Sequence, residues 1–462
     1  MVIEPTIFRE YDIRGLVDKD LPDEAVRAIH RAYGRFLLRR GINNVLVARD
    51  GRAYNDNIKK VVIAALLESG LNVIDIGTVT VPVFYFAQIH LKIVGGVMIT
   101  ASHNPAGWSG FKHLVDFLKT ATSDELNEIQ EIIAKEDFPS GQGNYTNRAD
   151  LIDKYKKDIL SRIHIPQPPK VVVDSGNETT ALINPDVLRQ LGCEVVEQCT
   201  TMGEACQHEP NPSTLGALNH IAEGIKLSGA QIGVGYDADG DRFGIVDELG
   251  NIIWPDRVAM VIARSMLGRY PGGTVVFDVK CTQALIDEIV ACGGKPVMWK
   301  TGHSWIRRKG QEVDAIFAAE RSGHFYFRRD HYGYDDGLYA SLRFLEIISA
   351  QEKPLSEYMK EYPKYETSPV WHAPCPDKKK YQVVDQLVAQ FKKDYGEDRV
   401  IDINGARVRF DDGWGLVRAS SNIPALVLVF EGKDAFALER IDKIFRDILK
   451  LYQEVGLEWE SG

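Results

Sequence analysis

The chain has 462 residues, 44% of them hydrophobic and 26% charged, with a formal net charge of −10. That is the make-up of a globular protein with ample core, long enough for roughly three or four domains. It excludes a membrane span, since no window nears the roughly 18 apolar residues one requires, and without a basic tract it excludes nucleic acid as a partner.

The opening Met1-Val2-Ile3-Glu4-Pro5 has no basic or apolar leader region, so a cytoplasmic location is expected. Six cysteines are scattered with no C-x-x-C pair, which predicts reduced thiols and neither a zinc site nor a disulfide framework. An acidic chain that binds anions must concentrate positive charge locally, so basic residues beside unusual motifs carry information.

The first such run is Phe8-Arg9-Glu10-Tyr11-Asp12-Ile13-Arg14-Gly15. Tyr11 and Arg14 are placed for an anion there, and Asp12 for a local pair. An apolar strand, Val45 to Ala48, then runs through Arg49 into Asp50. A helical stretch (58–69), a strand (72–76) and a further strand, Val97-Met98-Ile99, follow. The last opens into Thr100-Ala101-Ser102-His103-Asn104-Pro105, with Gly107, Gly110, Phe111 and Lys112 beyond. A hydroxyl at a strand end often only caps or turns. Neighbours in a strand also point opposite ways, so His103 need not serve Ser102 as a base.

The same order recurs. Val171-Val172-Val173 ends in Asp174, helical (185–191) and strand (194–197) stretches follow, and Gln231–Tyr236 runs into Asp237-Ala238-Asp239-Gly240-Asp241-Arg242. Carboxylates on alternate residues suit a loop that wraps oxygens around a hard cation such as Mg²⁺. Such a cation could neutralise a phosphate on Ser102, while Arg242 forks onto a second anion. An EF-hand has this spacing too, with Glu248 at its twelfth position. However, Arg242 stands where that loop needs glycine, and the flanks look like strands.

A third round begins at Val275-Val276-Phe277-Asp278 and ends in Glu320-Arg321-Ser322-Gly323-His324. Glu320 and Ser322 suit the vicinal hydroxyls of a sugar, and Gly302 and Gly323 permit close backbone approach. Lys280, His303 and His324 are candidates for proton transfer or phosphate contact. The fold class expected is α/β: three similar mixed-sheet domains and a smaller C-terminal α+β domain around a central cleft. The expected bounds are 1–145, 146–250, 251–363 and 364–462. In the last domain Lys378-Lys379-Lys380 reads as solvated helix surface, ahead of a helix over 381–391. Arg418-Ala419-Ser420-Ser421-Asn422-Ile423-Pro424, between two strands, is either a phosphate cradle or an ordinary polar hairpin.

Together these stretches closely resemble the α-D-phosphohexomutases of the bacterial phosphomannomutase/phosphoglucomutase type, over essentially the whole chain. The most specific run is Phe277 to Thr282, then Trp299 to Ser304, then Asp335-Asp336-Gly337. The resemblance implies four domains and an isomerase of carbohydrate metabolism that interconverts hexose 1-phosphate and hexose 6-phosphate, of mannose, glucose or both. It implies phosphoserine at Ser102, Mg²⁺ between Ser102 and Asp237, Asp239 and Asp241, and hexose 1,6-bisphosphate as intermediate and activator. It assigns Arg418, Ser420, Ser421 and Asn422 to the non-reacting phosphate and Glu320 and Ser322 to sugar hydroxyls. Tyr11, Arg14, His103, Lys112, Arg242, Lys280, His303 and His324 are assigned to the reactive region.

Ala238, Ala319, Trp108-Ser109, Asn177-Glu178 and Ser421-Asn422-Ile423 depart from the family pattern without removing a charged catalytic group. A glucosamine-phosphate mutase, a metal-dependent phosphatase and a catalytically silent phosphosugar-binding protein are the alternatives. Phosphorylated hexoses are the expected partners, with no obligate protein partner.

Overall fold

The computed structural model describes residues 3–461. Two compact units make up the chain. One holds the chain up to Pro212 together with Gly216–Ile253 and Gly323–Ser356, and the other holds Ser213–Leu215, Trp254–Ser322 and everything from Glu357 onward.

The first unit contains two sheets. In one, the Asn44–Arg49 strand is central, with Asn72–Thr78 parallel on one side and Gly95–Ile99 parallel on the other. Trp108–Asp116 then pairs antiparallel with Gly95–Ile99, and Ile13–Leu16 antiparallel with Trp108–Asp116. In the other, Lys170–Asp174 is central, Glu194–Gln198 and Ile232–Tyr236 flank it in parallel, and Phe243–Asp247 closes antiparallel. The second unit repeats the arrangement: Thr274–Asp278 is central between parallel Lys295–Trp299 and Phe317–Ala319.

Three times, then, the first strand of a round lies in the middle and the third lies on the side away from the second. The runs Val45-Leu46-Val47, Val171-Val172-Val173 and Val275-Val276 are fully buried, as β-branched strands covered on both faces must be. In each round the third strand ends at a polar loop, starting at Thr100, Asp237 and Glu320. The threefold pattern expected from the sequence is therefore a real repeat of topology, and the polar loops leave from the same carboxyl end each time.

The last part of the second unit is an antiparallel sheet that includes Ala406–Phe410, Gly413–Ala419, Ala425–Gly432 and Trp371–Pro374. Helices Asp377–Tyr395 and Ala435–Leu449 pack on it through Val383, Leu387, Phe391, Ile441 and Phe445 against Phe430 and Leu428.

Two expectations fail here. The helix starts at Asp377, not 381, because an acidic residue in the first turn suits the helix dipole even where apolar periodicity is missing. Lys380 is not surface: it is buried, donating from Nζ to the Ile423 carbonyl at 3.1 Å and pairing with Asp377 at 2.8 Å. All six cysteines are free thiols, as expected. Cys199 lies in one group with Asp174, His208 and His220, drawn from a strand end, a loop and a helix, so no short sequence spacing announces it.

Candidate active site

Ser102 follows the Gly95–Ile99 strand in a tight turn and has a left-handed backbone, φ 51°. Its amide donates to Thr100 Oγ1 at 2.8 Å, and Asn104 N closes onto Ala101 O at 3.0 Å. A non-glycine residue pays for that conformation with about 1 kcal/mol or more, so the surroundings must enforce it. Arg52 does so: Nη2 donates to the carbonyls of Ser102 and Asn104 at 2.8 and 2.6 Å, and Nη1 to Pro105 O at 3.0 Å. Arg14 adds bonds to Ala101 O at 3.2 Å and Asn104 Oδ1 at 2.6 Å, and Asp12 orients it at 2.8 Å as expected for a local pair. Tyr11 is buried nearby, close enough to act on the Arg14 charge.

Because Ser102 has left the strand conformation, alternation no longer separates it from its neighbour. Ser102 Oγ and His103 Nδ1 stand 3.3 Å apart, a contact that strand geometry had left open. Burial, with the guanidinium groups of Arg242 and Arg14, pushes His103 well below the usual imidazole range. It is held neutral.

The aspartates sit on the hairpin loop between Tyr236 and Phe243, which pair across the strands. That strand setting removes the EF-hand alternative. Asp237 Oδ1 accepts from Gly240 N and Arg242 N, both at 3.1 Å, so the loop curls around this carboxylate. Gly240 takes φ 78°, which glycine adopts without steric cost. Asp237 Oδ2 accepts from Ser102 Oγ at 2.9 Å. Asp239 Oδ2 accepts from Thr100 Oγ1 at 3.0 Å and Lys112 Nζ at 2.9 Å, and Asp241 Oδ2 accepts from Lys112 Nζ at 2.6 Å.

Asp239 Oδ1 and Asp241 Oδ1 are buried with no hydrogen-bond partner. One oxygen from each of the three aspartates falls within 4.8 Å of the others. Hard oxygen donors, fully buried and partly unsatisfied, fit a divalent cation such as Mg²⁺. Burial and the two neighbouring carboxylates push Asp237 well above the usual range. Burial acts against Asp241 too, but Lys112, His324 and Arg242 hold it well below.

Arg242 Nη2 donates to Ser102 Oγ at 2.6 Å and also reaches His103 Nδ1. His324 pairs with Asp335 at 2.9 Å and stands 3.6 Å from Asp241, and it bridges Arg242 backbone to backbone. Gly323 has to be glycine here, with φ 97° and only 2.8 Å between a would-be Cβ and the Phe243 carbonyl.

Of the predicted residues, Tyr11, Arg14, Ser102, His103, Lys112, Asp237, Asp239, Asp241, Arg242 and His324 belong to the first unit. Lys280, His303, Glu320, Ser322, Arg418, Ser420, Ser421 and Asn422 belong to the second. There Glu320 Oε2 accepts from Gly302 N at 2.8 Å, and Gly302, at φ 127°, starts the helix headed by His303. Asp278 accepts from Thr301 Oγ1 at 2.7 Å and lies 3.5 Å from Lys280 Nζ. Ser322 is half-buried.

Arg418 is buried, yet its Nε and Nη2 have no hydrogen-bond partner. A buried guanidinium with idle donors is a demand for an anion. Ser420 Oγ accepts from Asn422 N and Ile423 N, each at 3.3 Å, and Lys380 pins the same turn from behind. His372 and Arg418 both pair with Val427, from opposite sides, and so share a face of the sheet. Burial, then Lys280 and Arg418, push His372 down to about 4.

Sequence reasoning gave no site role to Arg52, His372, Lys380 or Asp335, although Asp335 lies in the Asp335-Asp336-Gly337 run. Arg52 also had a signal. It stands two residues after the strand-end Asp50, as Lys280 stands two after Asp278.

Comparison with known proteins identifies the family. Residues 5–140, 149–250 and 254–365 match the alpha/beta/alpha domains I, II and III of the phosphoglucomutase/phosphomannomutase family, and 372–448 match its C-terminal domain. A phosphomannomutase/phosphoglucomutase of Pseudomonas aeruginosa is 39% identical, with 96% of each chain covered. A phosphoglucomutase of Neisseria meningitidis is 38% identical, also over 96% of each. The crystal structure of a phosphoglucomutase/phosphomannomutase family protein from Burkholderia thailandensis superposes with a TM-score of 0.89 at 36% identity, covering 97% of this chain and 98% of that one. With all four domains matched in order, the chain belongs to the phosphoglucomutase/phosphomannomutase family and is an enzyme of the phosphohexomutase class.

Proposed function

We propose that this enzyme interconverts the 1- and 6-phosphates of mannose, glucose or both, through phosphoserine at Ser102 and a bound hexose 1,6-bisphosphate. The observation that carries the reading is the setting of Ser102 Oγ, 2.6 Å from Arg242 Nη2 and 2.9 Å from Asp237 Oδ2.

In the phosphorylated enzyme a free sugar hydroxyl attacks the phosphorus on Ser102. A new sugar O–P bond forms, the Oγ–P bond breaks, and the hydroxyl proton passes to a base. Arg242, already donating to Oγ, offsets the charge that builds on this oxygen as the phosphoryl group leaves. His103 Nδ1, neutral and 3.3 Å from Oγ, fits a proton carrier for the serine. The second half reverses these bonds with the sugar's other phosphoryl group, which ends on Ser102. Asp237, Asp239, Asp241 and the Ser102 oxygen would hold Mg²⁺, which when bound supplies charge neutralisation for the moving phosphoryl group. Lys112 and Arg242 bring the local positive charge that an acidic chain must concentrate for an anion.

In the second unit Arg418 and the Ser420–Asn422 turn take the non-reacting phosphate, with Lys280 and His303 as further phosphate contacts. Glu320 and Ser322 take sugar hydroxyls. The domain bounds 1–145, 146–250, 251–363 and 364–462 give each domain one polar loop, and the matched segments support them.

The test is a coupled assay of glucose 6-phosphate formed from glucose 1-phosphate, with Mg²⁺ and catalytic glucose 1,6-bisphosphate, repeated with mannose 1-phosphate. Activity that collapses in Ser102→Ala, with loss of the phosphoprotein mass, supports the reading. Equal activity in wild type and Ser102→Ala would overturn it.

A further inference from the structure

The three rounds of the repeat each place an aspartate at the end of the central strand: Asp50 directly after it, Asp174 and Asp278 as its last residue. Each spends Oδ1 on a nearby backbone amide, of Arg52 at 3.1 Å, Gly176 at 2.8 Å and Arg321 at 3.1 Å. Two of the three also have a cation two residues on, Arg52 at 3.3 Å and Lys280 at 3.5 Å. Asp174 has Gly176 at that place. Its Oδ2 faces His208 Nε2 and His220 Nδ1 instead, each at 2.9 Å, and the Cys199 thiol.

One carboxylate oxygen has lone pairs enough for both imidazoles, provided each presents a proton to it or shares a cation with it. His208 Nδ1 is 2.8 Å from the Glu209 carbonyl, which only accepts, so the ring proton belongs to Nδ1. Without a cation His208 must carry a second proton on Nε2 to meet that carboxylate oxygen, and a bound cation takes the place of that proton and makes two ligand bonds. A ring proton held by a carbonyl is also how metal-binding histidines are commonly oriented.

The ligand atoms of Asp174, Cys199, His208 and His220 all lie within 4.8 Å of one another. A tetrahedron with zinc bond lengths has edges of about 3.3–3.8 Å, so the two Asp174–histidine contacts of 2.9 Å must lengthen by about 0.4 Å while the wider separations close. The Cys206 thiol hydrogen-bonds that of Cys199 and adds a fifth donor beside the group.

The segment that delivers the thiols is built rather than loose. Asn177, at φ 55°, accepts Thr201 N on Oδ1 at 2.9 Å and donates from Nδ2 to Ala205 O at 3.0 Å. Its main chain takes Gly203 N at 2.9 Å and gives its amide to Cys199 O at 2.6 Å. The loop from Cys199 to Cys206 thus wraps around one side chain next to the strand-end aspartate.

We propose that Asp174, Cys199, His208 and His220, with Cys206 beside Cys199, form a structural zinc site separate from the Asp237–Asp241 cluster. One thiolate, one carboxylate and two neutral imidazoles neutralise Zn²⁺, and the mixed N, O and S set suits zinc better than Mg²⁺. The ion would staple the 199–208 loop to the end of the Lys170–Asp174 strand and to the Leu215–Ser228 helix.

The test is metal analysis of the full-length enzyme after zinc exposure and gel filtration. The expected result is about one Zn²⁺ per chain, retained in Asp239→Asn and lost in Cys199→Ser and in His208→Ala. Wild type holding less than about a tenth of that, or Cys199→Ser holding as much as wild type, overturns the proposal.

Should those variants fail to fold, wild type alone decides the matter by cobalt substitution and thiol labelling. Co²⁺ is expected to give a thiolate-to-metal charge-transfer band, and zinc to protect Cys199 from alkylation until a chelator is added. No such band, alkylation of Cys199 that ignores zinc, or a Cys199–Cys206 disulfide in metal-free native enzyme overturns the proposal.

Discussion

Arg242 Nη2 donates to Ser102 Oγ at 2.6 Å, although 140 residues separate the two in the chain. The serine has one proton, and it is directed to Asp237 Oδ2. The guanidinium therefore meets an oxygen lone pair, the same electrons that carry charge when an Oγ–P bond breaks. Lysine keeps the charge but cannot reproduce the fork. Arg242→Lys is predicted to lower kcat by about 10²–10³, the cost of one lost transition-state donor. Steady-state assays with glucose 1-phosphate check it, and a wild-type kcat would show that the guanidinium plays no part in the transfer.

Arg52 touches the serine loop only through carbonyl groups, so its effect must pass through the position of Ser102. Arg52→Met is predicted to lower kcat about 10–100-fold through misplacement of Oγ, with KM for the sugar phosphate unchanged. Arg52→Lys should fall between the two, since one ammonium cannot serve three carbonyls. Equal kcat in Met and Lys variants would argue against positioning, and a rise in KM alone would place Arg52 on the substrate instead.

How much of this was readable beforehand depended on whether the signal was local. The strand–aspartate–helix order announced the repeat because buried parallel strands demand unbroken apolar runs, as in Val171-Val172-Val173. The Asp237–Arg242 loop was readable because a hairpin brings its own ligands together. Arg52 clamping Ser102, Lys380 behind Ile423 and His372 beside Arg418 were not, since each pair is joined only by tertiary folding. The Ser102–His103 contact was left open for a different reason: alternation holds within a strand, and φ 51° at Ser102 has already ended it. The grouping of Asp174, Cys199, His208 and His220 was not readable because its members converge from distant segments.

Lys112 joins Asp239 and Asp241 in a buried triad, and burial would expel its charge were the two carboxylates not holding it well above the usual amine range. Removing one partner of a buried ion pair leaves uncompensated charge, a loss of about 3–5 kcal/mol. Lys112→Met is predicted to lower thermal stability strongly in chelator and to regain part of it in Mg²⁺, more than wild type gains. Thermal unfolding with EDTA and with Mg²⁺ checks this. Identical Mg²⁺ shifts in both proteins would mean that the aspartates are not where the ion binds.

Asp336 caps the Gly337–Ser349 helix through Tyr339 N at 2.9 Å and accepts from Tyr155 OH at 2.9 Å. Burial pushes its carboxyl up to about 7, against about 3.9 for a free aspartate. A raised carboxyl binds its proton in the folded state and not in the unfolded one between these values. Its contribution is thus whole below pH about 4 and declines as pH rises towards 7, by at most about 1.4 kcal/mol per pH unit. Asp336→Asn keeps the cap, since asparagine caps as well as aspartate, and cannot titrate. The stability of wild type relative to Asp336→Asn is predicted to fall from pH 5 to pH 7. Urea unfolding at both values measures it, and a constant or rising difference refutes the assignment.

Arg418 and Lys380 make opposite demands on the same turn. Arg418 keeps buried donors idle, whereas Lys380 spends its charge on the Ile423 carbonyl and Asp377. If the turn holds the non-reacting phosphate, Arg418→Ala removes a charge-assisted contact of about 1.5–3 kcal/mol, raising KM about 10–100-fold. Lys380→Met removes no ligand contact and only loosens the backbone at Ile423, so its rise in KM should be smaller. Because phosphoryl transfer takes place at Ser102, kcat should change less than KM in both. Inorganic phosphate as a competitive inhibitor separates the two, weakened strongly by Arg418→Ala and weakly by Lys380→Met. Should Lys380→Met weaken phosphate as much as Arg418→Ala does, the lysine is itself a phosphate ligand and the division of roles between the two residues is wrong.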